Sequence, residues 1–224
     1  MSRLVKVCGM TLPEQVKALD GLGVDLLGFI FAAKSPRRVT PEHVASIARG
    51  RAKRVGVFVE QDADAVNRIM EAAGLDYAQL HAGQDEAFCR TVGHERVIKV
   101  FWPQRYLVVG SPNPIAQAGT VDPAAALEAL ERDMDRFTHS CALMLLDSGT
   151  SGGGHGKSLD FAALSGLRAP KPWLLAGGLS PDNAALALRE AHPAGLDLNS
   201  GVESSPGVKD ISRVTQALHI IKSF

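Results

Sequence analysis

The sequence predicts an α/β protein, a closed (β/α)8 TIM barrel that forms one domain over residues 1–224. Three observations carry that prediction. Short apolar runs, many β-branched, recur about eight times along the chain. Helix signals follow them. The length of 224 residues falls within the ~200–250 that eight strand–helix units occupy. An open doubly wound sheet is the competing architecture. It usually carries a Gly-x-Gly-x-x-Gly turn after its first strand, and here that strand runs into Cys8-Gly9-Met10-Thr11.

The expected strands are Leu4–Cys8, Leu26–Phe31, Arg54–Val59, Tyr77–His81, Arg96–Phe101, Ala142–Asp147, Trp173–Gly177 and Leu196–Ser200. Several are almost continuously apolar, as strands covered on both faces must be. Thr11 and Glu14 have capping-box spacing ahead of Val16, Ala18 and Leu19. Thr40-Pro41 and Ser180-Pro181 each read as an N-cap followed by proline at the first helical position. Asp62–Ala73 places Ala65, Val66, Ile69 and Ala73 on one helical face. Pro103–Asp122 is the least regular stretch and reads as an excursion before a helix around Pro123–Asp135.

Composition narrows the function. Lys+Arg and Asp+Glu balance at 24 each, which gives no electrostatic footprint for nucleic acid or an anionic membrane. An anionic ligand must then be met by local cations or backbone N–H groups. No apolar stretch approaches the ~18–20 residues of a membrane span, and Met1–Lys6 is too short and interrupted to read as a signal peptide. Cys8, Cys89 and Cys141 are an odd, widely spaced set, which fits a reducing, cytoplasmic setting without a disulfide framework. There is no Cys-x-x-Cys, His-Glu-x-x-His or His-x-His motif, so a metal site has little support. The chain is compatible with a monomer or a homodimer.

Active sites of such barrels lie at the C-terminal ends of the strands. Cys8 ends the first expected strand, His81 the fourth and Asp147 the sixth. Cys8 is either a small buried hydrophobe or a reactive thiol; a following helix N-terminus and a nearby arginine would favour its thiolate as general base or nucleophile. Cys89 and Cys141 lack that placement and read as structural. Asp147 either caps the next loop or, beside apolar walls, acts as a general acid. Arg37 and Arg38 are either a surface basic pair or the source of a bidentate carboxylate fork. His81 is either a satisfied core histidine or a hydrogen-bond donor to substrate. A base and an acid across one pocket suit an aldose–ketose isomerisation, which removes a proton from carbon and delivers one to oxygen.

Three glycine-rich loops follow the last three strands. They are Gly149–Gly156, with Gly154 and Gly156; Ala176-Gly177-Gly178; and Ser200-Gly201. Backbone N–H groups of such loops cradle phosphate. Ser151–Ser158 nearly spells a P-loop around Lys157, but the first glycine is absent and the segment lies two-thirds along the chain.

Together these segments resemble the phosphoribosylanthranilate isomerase family over nearly the whole chain. The resemblance rests on Lys6-Val7-Cys8-Gly9-Met10-Thr11, Ser35–Pro41, Val55–Val59, Gln79-Leu80-His81, Leu146-Asp147-Ser148 with Gly153–Gly156, Leu175–Asn183, Asp197–Glu203 and Pro206–Asp210. It implies a cofactor-free barrel that performs an Amadori rearrangement of a small phosphorylated aminosugar in tryptophan biosynthesis. It also implies Cys8 as general base, Asp147 as general acid and Arg37 at the anthranilate end. Gly154, Gly156, Gly177, Gly178, Ser200 and Gly201 become the phosphate grip, and His81 and Asp197 are read as substrate contacts. His155, Asn199 and Ala82 depart from the family pattern. Cys8 argues against a barrel isomerase that uses carboxylates for both proton transfers. The first four strand ends lack the paired aspartates an epimerase would want, and intact Cys8 and Asp147 argue against a non-catalytic phosphosugar-binding barrel.

Overall fold

The computed structural model describes residues 3–107, 122–148 and 161–224. Eight parallel strands close into a barrel in sequence order. They are β1 (Leu4–Val7), β2 (Leu26–Ile30), β3 (Lys53–Phe58), β4 (Tyr77–Leu80), β5 (Val97–Phe101), β6 (Leu143–Asp147), β7 (Trp173–Ala176) and β8 (Gly195–Leu198). The ring closes where β8 pairs with β1, with Lys6 opposite Asp197. The expected strands are all present. Cys8, His81, Gly177 and Ser200 fall just beyond the strand ends, where the ladder stops and side chains meet the barrel mouth.

The helices are α1 (Pro13–Gly21), α2 (Pro41–Ser46), α3 (Ala63–Ala73), α4 (Glu86–Val92), α5 (Gln104–Leu107), α6 (Pro123–Asp135), α7 (Pro181–Ala191) and α8 (Ile211–Lys222). A 3₁₀ turn, Phe161–Leu164, precedes β7, and a short hairpin of β9 (Glu203–Ser205) and β10 (Val208–Lys209) lies between β8 and α8. The irregular stretch after β5 begins with α5; residues 108–121 lie outside the described residues.

Two N-caps form as expected. Thr40 Oγ1 accepts from His43 N–H, and Ser180 forms a full capping box with Asn183. The Thr11/Glu14 box does not form. Leu12 is the N-cap, Pro13 opens α1, and the Thr11 hydroxyl donates instead to Gly207 O at 2.6 Å. A long-range partner therefore outcompetes the local cap. In α3 the buried stripe is Val66, Met70 and Ala73, rotated from the expected face so that Ala65 and Ile69 are only half-buried.

Alternation along each strand divides the core in two. Outward residues such as Val5, Leu27, Phe29, Leu80, Leu146 and Leu196 pack beneath the helices in the main cluster. Inward residues, among them Leu26, Val55, Ile98, Leu145 and Leu174, fill the barrel interior. A cavity of about 550 Å³ opens at the N-terminal end among Leu4, Leu26, Tyr77 and Leu143, remote from the strand ends that carry the expected chemistry.

Candidate active site

Lys6 and Cys8 are two residues apart and share the inward face of the first strand. The Cys8 N–H donates to Leu198 O at 2.8 Å, which extends the β1–β8 register one residue past the ladder. Lys6 is fully buried, and its Nζ donates to both oxygens of Asp197 at 2.9 and 3.0 Å. The lack of a side chain at Gly28 makes room for this arrangement. A Cβ there would lie 2.7 Å from Cys8 Sγ and 3.0 Å from Lys6 Nζ.

These surroundings correct the expectation of an acidic thiol. α1 begins only at Pro13, so no helix N-terminus abuts the sulfur. Burial pushes the Cys8 thiol above its ordinary value, with Lys6 as the largest opposing influence. For Lys6, burial disfavours the charge, but Asp197 and Cys8 together outweigh it and hold the ammonium above its usual range. Cys89 and Cys141 are core residues whose thiols burial raises to about 11 and about 12.

Arg37 comes from the loop after β2 and closes over the same corner. Its Nε donates to Glu203 at 2.9 and 3.1 Å and its Nη2 at 2.5 Å, so the guanidinium forks an internal carboxylate. Gly9, at φ +78°, lets the arginine pass, since a Cβ would meet Arg37 Cδ at 2.6 Å. Buried Lys209 donates to Glu203 at 2.6 Å and to Asn199 Oδ1 at 3.0 Å. Burial alone would raise Glu203, but the hydrogen bonds from Arg37 and Lys209 outweigh it and hold the carboxyl below its ordinary range. Arg38 is exposed.

Asp147 ends β6 and is 8% exposed; its Oδ2 lies 3.3 Å from His81 Nε2. Gln79, two residues before His81, donates its amide N–H to His81 Nδ1 at 3.1 Å with the amide oriented as placed. The imidazole then presents Nε2–H to Asp147. Trp102 packs edge-on against His81 with ring centroids 5.8 Å apart. Trp102 Nε1 and Gln79 Oε1 are buried with no partner among the described residues. Asp197 lies within electrostatic reach of both Asp147 and His81. Asp197 is thus the group that links the Cys8–Lys6 side electrostatically to the His81–Asp147 side.

The loops after β7 and β8 meet. Gly177 and Gly178 have φ of +98° and +64°. A Cβ on Gly177 would overlap Ser148 Oγ at 1.8 Å, and one on Gly201 would overlap Leu179 O at 2.0 Å. Exposed Ser200 opens a 3₁₀ turn, Ser200–Val202, beside them. Gly154, His155, Gly156 and Lys157 lie outside the described residues. Among the described residues no group of three or more His, Cys, Asp or Glu side chains is placed to hold a metal ion, and no helix is long and apolar enough to cross a membrane.

The residue-level reading missed Lys6, Gln79, Trp102, Glu203 and Lys209 as parts of the site. Alternation from Cys8 and His81 points to Lys6 and Gln79 directly. Glu203 and Lys209 follow only from knowing how the β9–β10 hairpin folds back.

The family model for N-(5′-phosphoribosyl)anthranilate (PRA) isomerase matches residues 5–111 and 114–219. An N-(5′-phosphoribosyl)anthranilate isomerase of Maridesulfovibrio salexigens is 46% identical over 221 residues, covering 99% of each chain. Monomers generated from the dimeric phosphoribosylanthranilate isomerase of Thermotoga maritima superpose with a TM-score of 0.76 at 28% identity, over 100% of both chains. A phosphoribosyl anthranilate isomerase in complex with reduced 1-(o-carboxyphenylamino)-1-deoxyribulose 5-phosphate gives a TM-score of 0.77 at 26% identity, again over 100% of both chains. A closed parallel barrel, a thiol and a carboxylate at its mouth, and a match along almost the entire sequence lead to one statement: this chain belongs to the N-(5′-phosphoribosyl)anthranilate isomerase family.

Proposed function

We propose that this protein converts N-(5′-phosphoribosyl)anthranilate into 1-(2-carboxyphenylamino)-1-deoxyribulose 5-phosphate in tryptophan biosynthesis, with Cys8 as general base and Asp147 as general acid. The observation that carries the reading is the placement of Cys8 and Asp147 at the same end of one closed barrel, in a chain that matches the family along nearly its whole length. The ligand is a small phosphorylated molecule, and the assembly a monomer or a homodimer. Free cysteines and a biosynthetic role fit the cytoplasm. The balanced charge fits a protein that engages neither nucleic acid nor membrane.

A protonated Asp147 hands its proton to the furanose ring oxygen. The ring opens as the substrate nitrogen donates its lone pair, and a Schiff base forms. The Cys8 thiolate takes the proton from C2′, and the C–H electrons flow to the cationic nitrogen, giving an enolamine that tautomerises to the ketone. The substrate's own nitrogen is the electron sink. His81, locked by Gln79, directs its one N–H at the Asp147 carboxyl and holds that group towards the cavity. Arg37 holds the anthranilate carboxylate by sharing its fork with Glu203, and Asp197 fixes Lys6 beneath the bound sugar. Gly154, Gly156, Gly177, Gly178, Ser200 and Gly201 supply the N–H groups for phosphate.

The test is loss of phosphoribosylanthranilate fluorescence with the purified protein. Cys8→Ser and Asp147→Asn are each expected to lower kcat by about 10²–10⁴-fold with a smaller change in KM. Near-wild-type turnover in either variant removes that residue's role. Absence of turnover by the wild type overturns the activity itself. Arg37→Ala is expected to act mainly on KM.

A further inference from the structure

Cys8 sits in a compact ionic cluster. Lys6 reaches it from the same strand, Asp197 from β8, Arg37 from the loop after β2, and Lys209 from β10 with Glu203 behind. His81 and Asp147 are within electrostatic reach of Asp197. Cys8 Sγ and Lys6 Nζ both crowd the point a Gly28 Cβ would occupy, at 2.7 and 3.0 Å, and each acts electrostatically on the other. Lys6 has no exposure at all, and its Nζ donates to both oxygens of Asp197.

Lys6, Arg37 and Lys209 are cationic; Asp197 and Glu203 are their carboxylates, and Asp147 acts on Asp197. Lys6 is the cation of this set that shares the Gly28 corner with the sulfur. A thiolate on Cys8 places the buried ammonium between two anions, the sulfur and Asp197, in a region where an unpaired charge is costly.

Resting on Cys8 as the general base, we propose that Lys6 is its positioning residue: clamped by Asp197, the Lys6 ammonium is the counter-ion of the Cys8 thiolate and fixes the sulfur at the barrel mouth for proton abstraction. When sulfur takes up the C2′ proton the thiol is neutral again, and Lys6 keeps its own proton throughout. Asp197 acts in the opposite sense, because its negative charge both shares the ammonium and disfavours a second anion beside it.

That opposition defines the test. The Cys8 thiol is titrated in the folded, full-length protein by its ultraviolet thiolate absorbance, as the difference from the same background carrying Cys8→Ser. Lys6→Met is expected to leave about tenfold less thiolate, or lower still, at a fixed pH below the midpoint, as loss of an adjacent opposite charge does. Asp197→Asn retains shape and an acceptor for Lys6, and is expected to increase the thiolate fraction at the same pH. The ascending limb of the kcat/KM profile should follow each change. A merely structural Lys6 would not move the two variants in opposite directions. An unchanged thiol in Lys6→Met, or a shift in the same direction in both, overturns the proposal. Should Lys6→Met fail to fold, an unchanged or diminished thiolate fraction in Asp197→Asn overturns it alone. A thiol that responds as expected while Cys8→Ser keeps its turnover would uphold the ion pairing and remove only the base role.

Discussion

Gly28→Ala tests how tightly the base is held. Gly28 lies on β2 opposite Val55, with no room over its Cα. The added methyl carbon would lie 2.7 Å from Cys8 Sγ, 3.0 Å from Cys8 Cα and 3.0 Å from Lys6 Nζ. Nonbonded carbon contacts settle at about 3.5–4.0 Å, so the sulfur must retreat by about 1 Å. The backbone contact to Cys8 Cα prevents the strand from simply absorbing the methyl. Overpacking of this kind costs about 1–3 kcal/mol. The reduced freedom of the unfolded chain returns about 0.4–1 kcal/mol, leaving a net loss of about 1–2 kcal/mol. A displacement of about 1 Å at the reacting group lowers turnover by about 10²-fold. The measurements are urea denaturation and steady-state kcat and KM on one preparation. A folded Gly28→Ala protein with wild-type kcat would refute the reasoning, because Cys8 would then not need the position that Gly28 allows.

Other outcomes follow from the same geometry. Glu203→Gln removes a carboxylate shared by two cations and is expected to cost about 3–5 kcal/mol at neutral pH. Because the folded-state pKa of Glu203 is depressed, its contribution is present above the unfolded value near 4.3 and fades as pH falls through the lower folded value; the stability gap between variant and wild type should therefore close in acid. Denaturation curves recorded across that range check it, and a pH-independent gap would contradict it. Gly177→Ala places a Cβ against Ser148 at a φ of +98° and is expected to lower the melting temperature and raise KM through the phosphate end, with kcat less affected; an unchanged KM would detach this turn from phosphate binding.

Strand placement was readable from sequence because both faces of each strand are buried, so apolar runs stand out against polar loops. The three strand-end residues Cys8, His81 and Asp147 were readable for the same reason: each is the first reactive group after such a run. Their electrostatic setting was not. The thiol's neighbourhood depends on Asp197, Arg37 and Lys209, whose approach to Cys8 is fixed only when the barrel closes. The capping box failed for a similar reason. Local spacing favoured Thr11 and Glu14, but Gly207, nearly the whole chain away, offered the hydroxyl a better partner. Arg37 was visible as a fork for a carboxylate, but not that Glu203 of the same chain occupies it.

The seam between the first and last strands has a consequence for biosynthesis of the molecule itself. Lys6 depends on Asp197, Gln15 exchanges hydrogen bonds with the Lys209 backbone, and Lys222 reaches back to Arg3 O and Asp25. These partners emerge from the ribosome some two hundred residues after the segment they stabilise. Contacts of such sequence separation form late, because the intervening chain must be ordered first. A nascent polypeptide that stops before β8 leaves a buried lysine without its acid and a cysteine without its cationic corner. The reactive centre is thus assembled by the final step of folding, and a C-terminally truncated product carries an exposed, unpaired strand edge in place of a working pocket.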